Sequence, residues 1–479
     1  MMPNDNSMYG LAVAKPRPVD YVMLAQENER RYGTDWQRIG PMLLAERYTE
    51  KNHFIYELLQ NAEDALRKRR EWDGKRSVKF CLTDTCLRVS HFGAPFDERD
   101  VRGICGINES TKERTAIGRF GIGFKSVYAF TKRPEVHSGA EDFAIEDYLR
   151  PVAVDAVNRE IEETVIILPL SSREDQSVIA NGLASLGANT LLFLREIDQI
   201  EWTVEDGPSG LYLRDQPIHQ DGVARQVKVI GEQAGQADIE EDWLIFSRQV
   251  LGPEGAEIGC VELAFALDVG LPTGRRRVRR IARSMLNVFF PTVVETHLGF
   301  LLQGPLRTTP SRDAVLTDNA WNIGCLRTAG ELLAGSLLWL RDHRMLDVAT
   351  LNSLPLDRPK FEGGMFAPLF EHVKNVLANE QLLPDQRNGY LSARHALLAD
   401  GQALRELLDE GQLKELFPEV SSRGWLTSGI TQDRAPELRL YLHRELGIRE
   451  VTPITVLSPS YSPHSRDSET GMVQPSGIA

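Results

Sequence analysis

Three polar residues recur at helical spacing in the segment 55–65: Glu57, Asn61 and Asp64 stand at i, i+4 and i+7. At 3.6 residues per turn they share one stripe, separate from the apolar face of Phe54, Ile55, Leu58, Leu59, Ala62 and Leu66. The plain interpretation is the solvated face of an amphipathic helix. Asn61 argues for more, because asparagine in a helix interior competes for backbone hydrogen bonds. An amide oxygen one turn beyond a carboxylate can ligate a hard cation while the carboxylate orients water.

Further along, VSHFGAPF at 89–96 puts His91 and Gly93 at the end of a strand. Gly93 permits a turn and the close approach of a flat ligand. GRFGIGFKS at 118–126 then opens a helix. Gly118, Gly121 and Gly123 leave backbone N–H groups bare for an anion at a helix N-terminus, with Lys125 close behind. The spacing G-x-x-G-x-G is neither the dinucleotide-binding fingerprint nor the P-loop; alone, it is consistent with only a tight turn.

These residues need elements to position them. Periodicity predicts a helix over 53–70, strands over 78–82 and 87–92, and a buried strand over 164–170 that Thr164 opens. A helix over 175–186 and a strand over 191–204 follow, and the loop 206–210 marks a domain boundary near Glu205. Residues 206–345 read as strand-rich with a closing helix over 320–340. Residues 346–455 read as short helices, and 456–479 as a disordered Ser- and Pro-rich tail. The expected fold class is α+β, with domains at 1–205, 206–345 and 346–455, in line with about three domains for this length.

The net charge is −13, and 42% of the residues are hydrophobic. That composition excludes collagen, a coiled-coil rod and a wholly disordered chain. The acidic field repels nucleic acid and anionic membrane except at a local basic patch, and the run Arg275–Arg280 with Arg283 is such a patch. It reads as a solvated loop or as a contact for RNA, DNA or an acidic partner. The apolar runs 164–170 and 285–290 are too short to span a bilayer, so a cytoplasmic protein is expected. Five scattered cysteines without C-x-x-C suggest neither a disulfide frame nor a zinc site.

Taken in order, these motifs resemble the GHKL ATPases. ELLQNAEDA at 57–65 and IGRFGIGFKS at 117–126 are most similar to the heat-shock-chaperone branch, and within it to sacsin-type ATP-binding modules. VFFPT at 288–292, GFLLQGPL at 299–306 and TTPSRD at 308–313 resemble the middle segment of that branch. The resemblance implies a helix-on-sheet ATP-binding sandwich, an α+β middle domain and a small helical domain. It further implies Mg²⁺-dependent ATP binding with slow hydrolysis, driving chaperone-like remodelling of a protein client or a conformational switch, with a homodimer as one arrangement. Family members often run longer, so this chain reads as a short form.

By the same resemblance, Glu57 is the general base, Asn61 the Mg²⁺ ligand and Asp64 a pocket-lining residue. Gly93 admits adenine; Gly118, Gly121 and Gly123 cradle phosphate near Lys125; Thr164 faces the adenine edge. Lys112, in a lid at 110–112, reaches a phosphate or is a solvated loop charge. Arg312 supplies a guanidinium to the γ-phosphate. Two positions depart from the family pattern. His91 replaces the aspartate that accepts the adenine amino group, and Glu163 replaces the glycine before Thr164. A neutral imidazole has one acceptor nitrogen to offer, so nucleotide affinity is expected to fall on acidification through the pKa of His91. Two further interpretations stay open: a non-hydrolysing nucleotide sensor, and a nucleic-acid-linked GHKL ATPase using Arg275–Arg280. A histidine kinase is disfavoured, since Glu57 supplies a hydrolytic base.

Overall fold

Alternating burial builds the strands that carry the candidate site. In β1 (Ser77–Leu82) and β2 (Cys86–His91), Val78, Phe80, Leu82, Leu87 and Val89 are buried, while Lys79 is exposed. The computed structural model describes residues 17–33, 53–69, 71–106, 123–215, 217–220, 222–252, 257–270, 275–309, 314–418 and 423–457. In it β1 and β2 pair antiparallel, and β1 also pairs in parallel with β7 (Gln199–Val204).

The chain divides into two compact units, residues 1–267, 284–296 and 301–325 in one and residues 268–283, 297–300 and 326–479 in the other. The first unit is built on a large mixed sheet. Its N-terminal strands include β3 (Glu135–Ser138), β4 (Glu141–Glu146), β5 (Arg150–Ala153), β6 (Thr164–Pro169) and β8 (Ser209–Arg214). After β9 (Ile218–Gln220) come β10 (Ala224–Gln233), β11 (Ile239–Leu251) and β12 (Glu257–Gly270). Beyond β13 (Arg275–Arg279) lie β14 (Met285–Val288), β15 (Phe290–Glu295) and β16 (Leu301–Gln303). The order is β15-β14-β16-β12-β11-β10-β8-β7-β1-β2-β6-β3-β4-β5. The loop expected to end a domain near Glu205 is the turn of the β7–β8 hairpin, and both of these strands belong to the same sheet.

Among the described residues, α1 (Tyr21–Tyr32), α2 (His53–Arg67), α3 (Glu98–Cys105) and α4 (Arg173–Ala184) accompany the N-terminal strands. Each of α1, α3 and α4 starts at a side chain that accepts an N–H of the first turn, from Asp20, Asp97 and Ser172 respectively, as helix N-termini require. The apolar face of α2 is buried from Phe54 to Leu66, each large side chain contributing about 1.5–3 kcal/mol. Phe54 packs on Phe130 with ring centroids 4.9 Å apart.

The second unit is not purely helical. Ala396–Ala399 pairs in parallel with Gly424–Trp425 and with Arg449–Val451, around a core that includes Leu397, Leu413, Phe417 and Trp425. The basic run forms strand β13 instead of a loop, and its cations meet carboxylates: Arg279 with Asp268 at 3.1 Å, Arg280 with Glu437 at 3.2 Å and Arg277 with Asp347 at 3.9 Å. Periodicity also understated one apolar segment. The helix Ala320–Asp342 is long and apolar enough to cross a membrane by length and composition, and 56% of its apolar window is buried within the folded chain.

Candidate functional site

The polar stripe of α2 is not a solvated face. Glu57 and Asp64 are buried, Asn61 is half-buried, and Gln60 and Glu63 on the neighbouring positions are buried as well. Acidic side chains are rarely buried unless something compensates them. Glu63 has a structural answer. Its carboxylate accepts the N–H groups of Arg195 at 2.6 Å, Glu196 at 3.0 Å and Ile197 at 3.0 Å. Burial raises its pKa and those N–H groups oppose the rise. Asp64 pairs with Arg67 one turn on.

Glu57 lies elsewhere on the helix and faces different neighbours. Its Oε1 is 3.1 Å from Nε2 of His53, one turn back. Its Oε2 occupies the place a side chain at Gly123 would need, since a Cβ added there would stand 1.9 Å away. The helix motif and the last glycine of the GRFGIGFKS run therefore meet at one point, and any side chain at 123 would require the Glu57 carboxylate to move. Gly118, Gly121, Lys112 and Arg312 lie outside the described residues.

Strand pairing forms the second half of the site. The antiparallel register of β2 and β6 sets His91 opposite Thr164, and both are buried. The Thr164 hydroxyl is 2.6 Å from that of Ser138, whose oxygen also accepts Phe96 N–H at 3.0 Å. His91 Nδ1 accepts the Gly93 N–H at 3.0 Å. The acceptor nitrogen expected to face a base is thus already used within the chain. Burial pushes the His91 pKa down to about 4, so the imidazole stays neutral well below its ordinary titration range.

Gly93 and Lys125 are explained differently from expectation. A Cβ at Gly93 would fall 2.4 Å from Ala65 Cβ, and Ala94 N–H donates to Ala65 O at 2.9 Å. The close approach at Gly93 is that of α2 itself. Lys125 is buried, with Nζ donating to Ile104 O at 2.7 Å and to Tyr148 O. Desolvation lowers its pKa to about 8, and its ammonium ties the last turn of α3 to the turn at Tyr148.

Two residues escaped the sequence interpretation. His53 could have been found, because it precedes Glu57 by one turn. Ser138 could not, because only the pairing of β3 with β6 brings it to Thr164. Among the described residues no group of three or more His, Cys, Asp or Glu could hold a metal ion. A cation at this site would depend on the Asn61 amide and on oxygens of its own ligand.

Comparison with known proteins bears on the same segment. Residues 37–161 match the family model for a Sacsin domain. The chain is 25% identical over 333 residues to Protein NO VEIN of Arabidopsis thaliana, covering 62% of this chain and 11% of that protein. It is 26% identical over 136 residues to Chaperone protein HtpG of Sulfurovum sp. (strain NBC37-1), covering 23% and 22% respectively. Sacsin of Homo sapiens is 32% identical over 111 residues, 21% of this chain and 2% of that one. The chain thus spans less than a quarter of the length of these curated relatives. Its likeness to sacsin- and HtpG-like proteins agrees with the motifs that carry the site.

Proposed function

We propose that this chain binds a purine nucleoside triphosphate with Mg²⁺, hydrolyses it slowly and uses the cycle as a conformational switch in chaperone-like remodelling of a protein client. ATP is the nucleotide implied by the resemblance. The observation that carries the proposal is the meeting of buried Glu57 with Gly123, which joins the carboxylate motif to the phosphate-cradle motif. Likeness to Chaperone protein HtpG and to sacsin supports the chaperone-related output.

Each residue then has a physical task. Asn61 would hold Mg²⁺, which offsets phosphate charge when bound. Glu57, held by His53 on Oε1, orients a water and accepts its proton as general base. The N–H groups of the glycine run receive the phosphate oxygens. Gly123 leaves Glu57 beside them without a steric barrier. Asp64, paired with Arg67, lines the same side of α2, and Arg312 supplies a fixed planar cation to the terminal phosphate.

Phosphate release by the full chain, compared with a Glu57→Ala variant, tests this proposal. A positioned general base contributes about 10²–10⁴-fold. Turnover should fall by that factor while calorimetric nucleotide binding persists. Equal turnover in the variant would remove Glu57 from the chemistry. Binding without turnover in the wild type would make the chain a nucleotide sensor.

A further inference from the structure

We infer that the second unit binds a small molecule through a carboxylate or phosphate group, and that Arg405 is the residue that receives it. The inference is independent of the proposed nucleotide site. Arg405 lies on the helix Gln402–Leu407 and is 6% exposed. Its Nε and Nη2 are enclosed without a hydrogen-bond partner, and among the described residues no carboxylate pairs with it. Arginine is almost never fully buried unless paired, because an isolated cation gives up its hydration for nothing in return. Burial pushes the pKa of Arg405 down, and the nearby cation of Arg439 adds to that.

The two enclosed nitrogens form a matched pair. Along one edge of a guanidinium the Nε–H and an Nη–H run parallel, at the spacing of the two oxygens of a carboxylate or phosphate. Arg358 of the same unit shows that edge filled. Its Nε donates to Glu445 Oε1 at 2.8 Å and its Nη2 to Glu445 Oε2. Arg405 presents the same edge with nothing on it. Arg439 is already engaged, since its guanidinium donates to Ile430 O at 3.2 Å, to Ala399 O at 3.1 Å and to Glu450. Of the two guanidiniums, one is thus neutralised and the other is not. Nη1 of Arg405 also lacks a partner but is not enclosed, so the group meets solvent at that end. An anion entering there reaches the open edge by rotation of the side chain.

Chain topology puts this guanidinium where open parallel sheets hold ligands. β17 (Ala396–Ala399) lies between β18 (Gly424–Trp425) and β19 (Arg449–Val451) and is parallel to both. The chain leaves β17 through the helix Gln402–Leu407 and reaches β18 on one side. It then crosses through the helix Pro436–Arg444 to β19 on the other. Connections that diverge in this way open a crevice at the carboxyl ends of the two strands between them, here β17 and β19. Arg439 marks that end, spanning from the carbonyl of Ala399, the last residue of β17, to Glu450 of β19. Arg405 belongs to the connection that leaves β17 and lies within electrostatic range of Arg439.

Thermal unfolding of the full chain in chloride, acetate or inorganic phosphate at equal ionic strength tests the inference. At least one of the two oxyanions should raise the wild-type midpoint saturably, by about 2–4 °C once it exceeds its Kd several-fold. A larger effect of phosphate would make the ligand a phosphorylated compound, and a larger effect of acetate a carboxylic acid. Arg405→Lys keeps the charge but not the paired N–H edge, so its response should be less than half that of the wild type. Arg405→Met should show no response, and should melt in chloride no lower than the wild type, because it removes an unpaired buried cation. A wild-type midpoint indifferent to both anions would overturn the inference without any variant. An equal response in Arg405→Lys and Arg405→Met would overturn it too, by placing the anion elsewhere, as at the glycine run. A lower midpoint for Arg405→Met in chloride would make Arg405 a structural residue and would likewise overturn it.

Discussion

His91 combines two roles that a surface histidine could not, a fixed tautomer and a neutral ring. Both come from the Gly93 contact and from burial of the ring. The second role has a consequence for stability. The unfolded chain protonates His91 near the ordinary value of 6.5, whereas the folded chain holds it to about 4. Between those values the unfolded state binds the extra proton, so stability is fully present above pH 6.5 and is lost as the pH falls toward 4. The loss from this residue is on the order of 3 kcal/mol, taking about 1.4 kcal/mol for each pH unit between the folded and unfolded values. Urea midpoints of the wild type should drop over that window more steeply than those of His91→Asn. Parallel profiles would mean that the ring is protonated in the folded state without penalty. The decline of nucleotide affinity on acidification expected from a base-facing acceptor nitrogen loses its basis, because Nδ1 already accepts the Gly93 N–H.

At the scale of elements, α2 is held on two sides by different means. One side carries the candidate chemistry at Glu57, and another carries the Glu63 carboxylate as a cap for three backbone N–H groups of the loop at 195–197. Glu63→Ala would leave those donors, of which the Ile197 N–H is buried and the other two half-buried, without their acceptor, which costs about 1–3 kcal/mol for each buried group left unsatisfied. A total of about 3–5 kcal/mol is expected in chemical denaturation, with Glu63→Gln less damaging because its amide oxygen still accepts. A loss under about 1 kcal/mol would show that water takes the carboxylate's place. The existence and extent of α2 were legible from its apolar period, since Phe54, Leu58, Ala62 and Leu66 repeat at helical spacing. The burial of its polar residues was not legible. A periodicity argument equates polar with exposed, whereas here a loop supplied by a distant segment covers Glu63, and Gly123 comes close to Glu57.

At the scale of the molecule, the decisive feature is the continuity of the large sheet through residues that look like a linker. The DGPSG sequence at 206–210 has the composition of a domain boundary, and composition alone cannot distinguish a hairpin turn from a linker. Pairing partners decide it: β7 runs beside β1 in parallel and beside β8 antiparallel. The small parallel sheet at 396–451 was hidden for a related reason, because Gly424–Trp425 is too short to show any period. The hairpin is also tied by side chains. The indole of Trp202 lies over Gly210, where an added Cβ would meet Nε1 at 2.4 Å. Arg214 pairs with Asp198 at 2.7 Å, and buried Tyr212 donates to Leu186 O at 2.6 Å. Ending the chain at Glu205 would strip β8 from β7, uncover Trp202 and expose a row of unpaired strand groups of the kind that templates aggregation. Such a fragment is expected to be aggregated or to lack a cooperative thermal transition in size-exclusion and calorimetric measurements. A monomeric fragment that melts cooperatively and binds nucleotide as the full chain does would show that the sheet can end at β7 and that the boundary near Glu205 is real.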